Sequence, residues 1–259
     1  MKNNIITNLL FCISSMLLLI SCLSGSKVIK TSNPDLGEFV FVKGTNFLMG
    51  NTPEQDINCK IAKPIYLNCD TASVLITDFY LARTELTQAQ WQTVMGTNPS
   101  SHKCSNCPVE NISSNDINEF LKIINLNSKR KYRLPTIHEW EFAARGGIIS
   151  KKFKYAGSND IDVVAWYIHN SNDSTHPVAQ KTPNELGLFD MSGNVLEFCS
   201  PKIDFSIPFR DMDYIRGGNF HSDTSFCKTG FLNTRFFHDL PPPDNNSFTG
   251  FRLLLEAKK

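Results

Sequence analysis

The rhythm of apolar and polar positions changes several times along this chain. Residues 9–20 form an almost unbroken apolar run, Leu-Leu-Phe-Cys-Ile-Ser-Ser-Met-Leu-Leu-Leu-Ile, behind a single charge at Lys2. The run is too short and too poorly flanked for a membrane span, and predicts a secretory leader over residues 1–21. From residue 22 to Gly37 apolar residues are few, which predicts a flexible tether. Residues 38–259 then read as one folded domain. Phe39–Val42 and Phe47–Met49 predict two short strands around a Lys-Gly-Thr turn, and Phe79–Leu81 predicts a third. Thr87 with Gln90 predicts a capped helix that stops at Gly96. A second helix starts near Ser114, with Ile117, Phe120, Leu121 and Ile124 on one apolar face. A third starts at Thr136 with Glu139 as its capping partner, and ends at Gly146-Gly147. Its Trp140 and Ala143-Ala144 are expected in the core.

After residue 148 turn residues dominate, as in Gly157–Asp160 and Pro241–Asn245. This predicts little regular structure and long, ordered loops. Such loops need fixing by buried aromatics, ions or disulfides. The chain's 19 Phe can supply the aromatic anchors.

The apolar run ends Leu19-Ile20-Ser21-Cys22, which resembles a bacterial lipoprotein signal. The resemblance implies that Cys22 is lipidated and begins the mature chain. Each buried CH₂ of an acyl chain contributes about 0.8 kcal/mol, so several chains hold a domain stably. No acidic residue directly follows Cys22. By resemblance to lipoprotein sorting, this predicts the outer membrane, facing the periplasm.

Charge adds a negative constraint. Lys+Arg number 26 against Asp+Glu 25, and loss of Lys2 with the leader balances them. The one basic run, Ser128–Lys131, is expected to be a solvated helix end, so no nucleic-acid partner is predicted. The expected partners are the membrane, through the anchor, and an envelope protein or glycan.

Of the 8 cysteines, Cys12 and Cys22 belong to the leader and the lipid site. Cys59, Cys69, Cys104, Cys107, Cys199 and Cys227 remain, and an even number in an exported protein favours disulfides. Sequence alone does not give their connectivity. Cys104 and Cys107 form a C-x-x-C. No second ligand pair at suitable spacing supports zinc, and Pro108-Val109 argues against a thioredoxin-like helix start. A structural disulfide, within the pair or to another cysteine, is expected.

Ordered motifs run through the whole domain. They are Phe47–Gly50; Glu85 and Thr87; Trp91; Gly96–Pro99; Cys107–Glu110; Tyr132–Arg145; Asp162–Trp166; and His176–Val178. Two glycine-rich segments follow, Asn184–Cys199 and Arg216–Phe220, and the pattern closes at Gly250–Leu253. From about Glu38 to Leu254 the chain resembles the sulfatase-modifying factor, or formylglycine-generating enzyme-like, family. The resemblance implies an α+β, C-type-lectin-like fold with little regular structure. It also implies structural calcium held by Asp190, Glu197 and the carbonyls of Gly193 and Val195, a donor set suited to that ion.

The family's catalysts hold copper with two cysteines, four and nine residues after Arg-Gly-Gly. Here those positions are Ser222 and Cys227. A neutral hydroxyl does not replace a thiolate for soft Cu(I), so copper is not expected. Leu196 and Phe198 stand where tryptophans are expected. Non-catalytic relatives carry cysteines matching Cys199 and Cys227, which implies a disulfide between the two. His221-Ser222-Asp223 is no triad, because adjacent residues do not meet in triad geometry.

The resemblance thus leaves two functions. The first is a non-catalytic binding or scaffold module on a lipid anchor. The second is an oxidase that converts a sulfatase cysteine to formylglycine, with Cys227 as its vestigial thiol. Ser222 favours the first.

Overall fold

The computed structural model describes residues 27–31, 35–55, 71–126, 128–200, 212–236 and 248–258. The leader, Cys22, Cys59 and Cys69 lie outside them. The strands are β1 (Val28–Lys30), β2 (Glu38–Val42), β3 (Asn46–Gly50), β4 (Thr71–Leu75), β5 (Phe79–Ala82), β6 (Tyr132–Arg133), β7 (Leu196–Cys199), β8 (Met212–Arg216), β9 (Leu232–Phe236), β10 (Thr249–Gly250) and β11 (Leu254–Glu256). The α-helices are α1 (Gln88–Met95), α2 (Ser114–Asn125), α3 (Ile137–Ala144) and the single-turn α4 (Ile161–Val164). The class is α+β, with short elements and long loops.

A five-stranded antiparallel sheet, ordered β1-β2-β5-β11-β6, forms the centre. Its middle strands read as apolar runs because both faces are covered. Val40, Val42, Phe79, Leu81 and Leu254 point into one core cluster with α3's Trp140 and Ala143. Phe39, Tyr80, Ala82 and Leu255 point the other way, into a second cluster with Trp91 of α1 and Phe120 of α2. This is the two-residue period of a strand, with an apolar residue on each side. Trp91 stacks on Phe120 at 5.3 Å, and Phe251 meets both edge-on. Each such buried side chain contributes about 1.5–3 kcal/mol.

The helix starts follow the capping chemistry. Thr87 accepts from Gln90 N while Gln90 Oε1 accepts from Thr87 N. Thr136 and Glu139 repeat the exchange, and Ser113 with Asp116 does the same for α2. Gly96, with φ 75°, ends α1 in the left-handed conformation that glycine tolerates.

Two features differ from expectation. The predicted tether contains β1, which pairs with β2 because half-buried Ile29 packs on the second cluster. The glycine-rich C-terminal third builds a four-stranded sheet, ordered β10-β7-β8-β9, with β10 and β7 parallel. Its strands are two to five residues long, too short for periodicity to reveal.

Candidate functional site

The two glycine-rich segments are bonded to each other. Gly193 N donates to Gly217 O at 2.8 Å, and Phe220 N donates to Asn194 O at 3.0 Å. Ser192 Oγ donates to Cys227 O at 2.8 Å. Two glycines are needed for this approach. Gly193 has φ 79°, and a Cβ there would lie 2.2 Å from Trp166 O. Gly218 has φ 71°, and its Cβ would lie 2.7 Å from Cys227 Sγ.

Buried ion pairs support these segments from below. Arg252 donates through two nitrogens to the two oxygens of Glu197, each at 2.6 Å, and Trp140 Nε1 adds a bond at 2.7 Å. Glu141 lies between Arg145 and Arg216, at 2.6 and 2.8 Å, and also accepts from Gly50 N. Glu85 accepts from Asn194 Nδ2 and Val195 N. Burial, reinforced by Asp190 and Glu197, raises Glu85 well above the ordinary carboxyl range. Burial likewise raises Asp190 to about 6, against the pull of the Ala179 N–H and Arg252.

The expected calcium ligands do not fit that ion as a set. Both oxygens of Glu197 are engaged by Arg252, so a divalent cation there would face a guanidinium. Asp190 Oδ2 accepts from Ala179 N at 2.7 Å. Among the described residues, no three His, Cys, Asp or Glu side chains are gathered as metal ligands.

The expected Cys199–Cys227 disulfide is not formed; both thiols are free and buried. The reason is that β7 carries Cys199 into the α3 core, beside Tyr214 and Leu232. Cys227 packs instead in a separate cluster with Tyr155, Val164 and Tyr167. Burial raises the thiol pKa of both, that of Cys227 to about 12. Cys104 and Cys107, by contrast, are bonded to each other. Their loop caps α1, where Gln88 N donates to Cys107 O and Ala89 N to Ser105 O.

Ser222 is held by Asn219. Asn219 N donates to Ser222 Oγ at 2.9 Å, and Ser222 Oγ donates to Asn219 Oδ1 at 3.0 Å. His221 pairs with Asp173 rather than with Ser222. A copper ion would find one neutral hydroxyl already bonded and one buried, protonated thiol, so these two positions do not fit copper.

The surface around Ser222 is aromatic and partly apolar. Ile168 N donates to Ser222 O, and the Ile168 side chain is exposed. His221 lies against Phe220 and the exposed Phe248. Trp166 stacks on His176 at 3.7 Å with Lys181 over its ring at 4.0 Å. Asn219, Glu85 and this Trp166 stack escaped sequence reasoning as site residues. Glu85 meets Asn194 and Val195 more than a hundred positions away, and the Asn219–Ser222 and Trp166–His176 contacts depend on loop conformations that no local pattern displays.

The sulfatase-modifying factor enzyme 1-like domain matches residues 25–257. A chaperone protein LppX of Paenibacillus barcinonensis is 32% identical over 234 residues, covering 70% of this chain and 78% of that protein. A formylglycine-generating enzyme of Streptomyces coelicolor is 27% identical over 194 residues, covering 65% of this chain and 59% of the enzyme. The solved structure of PvdO from Pseudomonas aeruginosa superposes with a TM-score of 0.71 at 20% identity, covering 89% of this chain and 98% of that one. This last likeness is one of fold. With the domain matched almost end to end, the chain belongs to the sulfatase-modifying factor enzyme 1-like family.

Proposed function

We propose that the protein is a non-catalytic binding or scaffold module, anchored to the cell envelope through a lipid on Cys22. The observation that carries the first part is the state of the two positions that a copper catalyst would use. The Ser222 hydroxyl is neutral and bonded to Asn219, and the Cys227 thiol is buried, with its pKa raised to about 12. Neither is a thiolate at pH 7, and the thiolate is the form that binds metal.

The exposed Ile168, His221 and Phe248 around Ser222 give a partner an apolar and aromatic contact surface. The chaperone description of the Paenibacillus relative supports a protein partner over a glycan. The lipid anchor has support from the leader pattern and from that relative's lipoprotein-like name. Copper titration tests the catalytic half directly. The protein takes up no stoichiometric Cu(I). Uptake that disappears in Cys227→Ser would contradict the proposal and restore the oxidase reading.

A further inference from the structure

The central sheet has two unlike ends. At one end lie Lys30, Asp35, Glu38 and Arg83, two of each sign and held in ion pairs. The opposite end is defined by register. Lys27 O accepts from Phe41 N, Phe79 lies opposite both Val42 and Glu256, and Leu255 lies opposite Tyr132. The cations Lys27, Lys43, Lys129, Arg130, Lys131 and Lys258 therefore emerge together. Among the described residues, Asp78 and Glu256 are the acids of that end; Asp78 pairs with Lys43 at 2.8 Å and Glu256 with Lys131 at 3.7 Å, and Lys27, Lys129, Arg130 and Lys258 are the excess. Six cations against two acids make a positive pole on a chain whose total charge is close to balanced.

The same end receives the chain from Cys22. Four residues lie between Cys22 and Lys27, and the five Cα-to-Cα steps reach about 18 Å at most when fully extended. Phe41 packs on Tyr80 at 5.2 Å, and the Arg130 guanidinium covers the Tyr80 ring at 4.5 Å. The point of entry is thus two packed rings from the basic loop. Arg130 is fixed there by a bond to Glu256 O at 3.0 Å. Lys27, Lys129, Lys131 and Lys258 are exposed.

We propose that this end of the sheet rests on anionic phospholipid headgroups. The lipid on Cys22 holds the domain at the bilayer, and the cations fix which way it faces. The inference rests on the reading that Cys22 is the anchor. A short tether keeps the pole near the surface, where the attraction of Lys and Arg for anionic lipid falls off within a Debye length of about 10 Å. The opposite end, where cations and acids balance, then faces away from the membrane.

Vesicle sedimentation tests this with the chain from Leu23 onward, which carries no lipid and contains every described element. Probes are vesicles of phosphatidylcholine alone and of phosphatidylcholine mixed with phosphatidylglycerol. Binding is expected to the anionic vesicles only, and to weaken with salt. Lys129→Glu with Lys131→Glu should weaken it by about fivefold or more per residue. Lys151→Glu with Lys152→Glu, an equal charge change on another loop, should leave it within about twofold. Equal binding to both vesicle types, no binding to either, or equal loss in the two double variants would overturn the proposal. Because no acyl chain is present, failure here is separate from failure of the anchor, which fractionation of Cys22→Ser reports.

Discussion

Arg252 and Glu197 are joined by two bonds of 2.6 Å, and both side chains are fully buried. Arg252 comes from the loop before β11, Glu197 from β7, and Trp140 of α3 completes the contact. One ion pair therefore ties the five-stranded sheet, the four-stranded sheet and a helix beneath the candidate site. Removing one partner leaves a buried charge unpaired, which costs about 3–5 kcal/mol. Arg252→Met is expected to lower unfolding stability by that amount in urea titration. A change under about 1 kcal/mol would show that the pair holds nothing together.

Asp190 sets a pH dependence. Its carboxyl is raised by burial from 3.8 to about 6, so between those values the folded protein binds more protons than the unfolded chain. Stability from this group therefore falls as pH rises from about 4 through 6, by about 3 kcal/mol in all. Glu85, also raised, acts in the same direction. Melting should be higher at pH 5 than at pH 7, and Asp190→Asn should flatten the difference. A rise in stability from pH 5 to 7 would contradict this assignment.

The same loop separates a guanidinium from a metal as the partner of Glu197. A chelator is expected to leave the melting temperature unchanged, with elemental analysis finding no stoichiometric calcium. Melting that drops under chelator and recovers on adding calcium would show that the ion binds despite Arg252.

Thiol mapping tests the cysteine assignment. After denaturation without reductant, alkylation should label Cys199 and Cys227 and spare Cys104 and Cys107. Reduction of the Cys104–Cys107 bond should cost about 2 kcal/mol, the value for so short a loop. Protection of Cys199 and Cys227 together would reinstate the disulfide that the resemblance implied.

Much of the fold was legible because its signals are local. The Thr87–Gln90 and Thr136–Glu139 boxes each sit within one helical turn, and the 117–124 face repeats at helical spacing. The candidate site was legible only in part. Glycine spacing marked the 184–199 and 216–220 segments, but their meaning depends on Gly193 meeting Gly217 and on Glu85 reaching Asn194 across 109 positions. Cys199 and Cys227 look like a pair in a motif. They enter different packing clusters because β7 turns its Cys side into the α3 core. Charge read along the chain likewise made 128–131 an ordinary solvated run. Only strand register places it at the same end of the sheet as Lys27, on the far edge strand.

Cys22→Ser should release the domain to the soluble fraction of the envelope. Continued partition with membranes would remove the lipid anchor from the account.

The most direct measurement of the central claim is turnover on a Cys-x-Pro-x-Arg peptide with copper and oxygen, followed by mass spectrometry. The protein should leave the peptide thiol intact. Ser222→Cys alone should gain nothing, since Cys227 stays buried against Gly218. Copper-dependent conversion of the thiol to formylglycine by the parent protein, abolished by Cys227→Ser, would contradict the account.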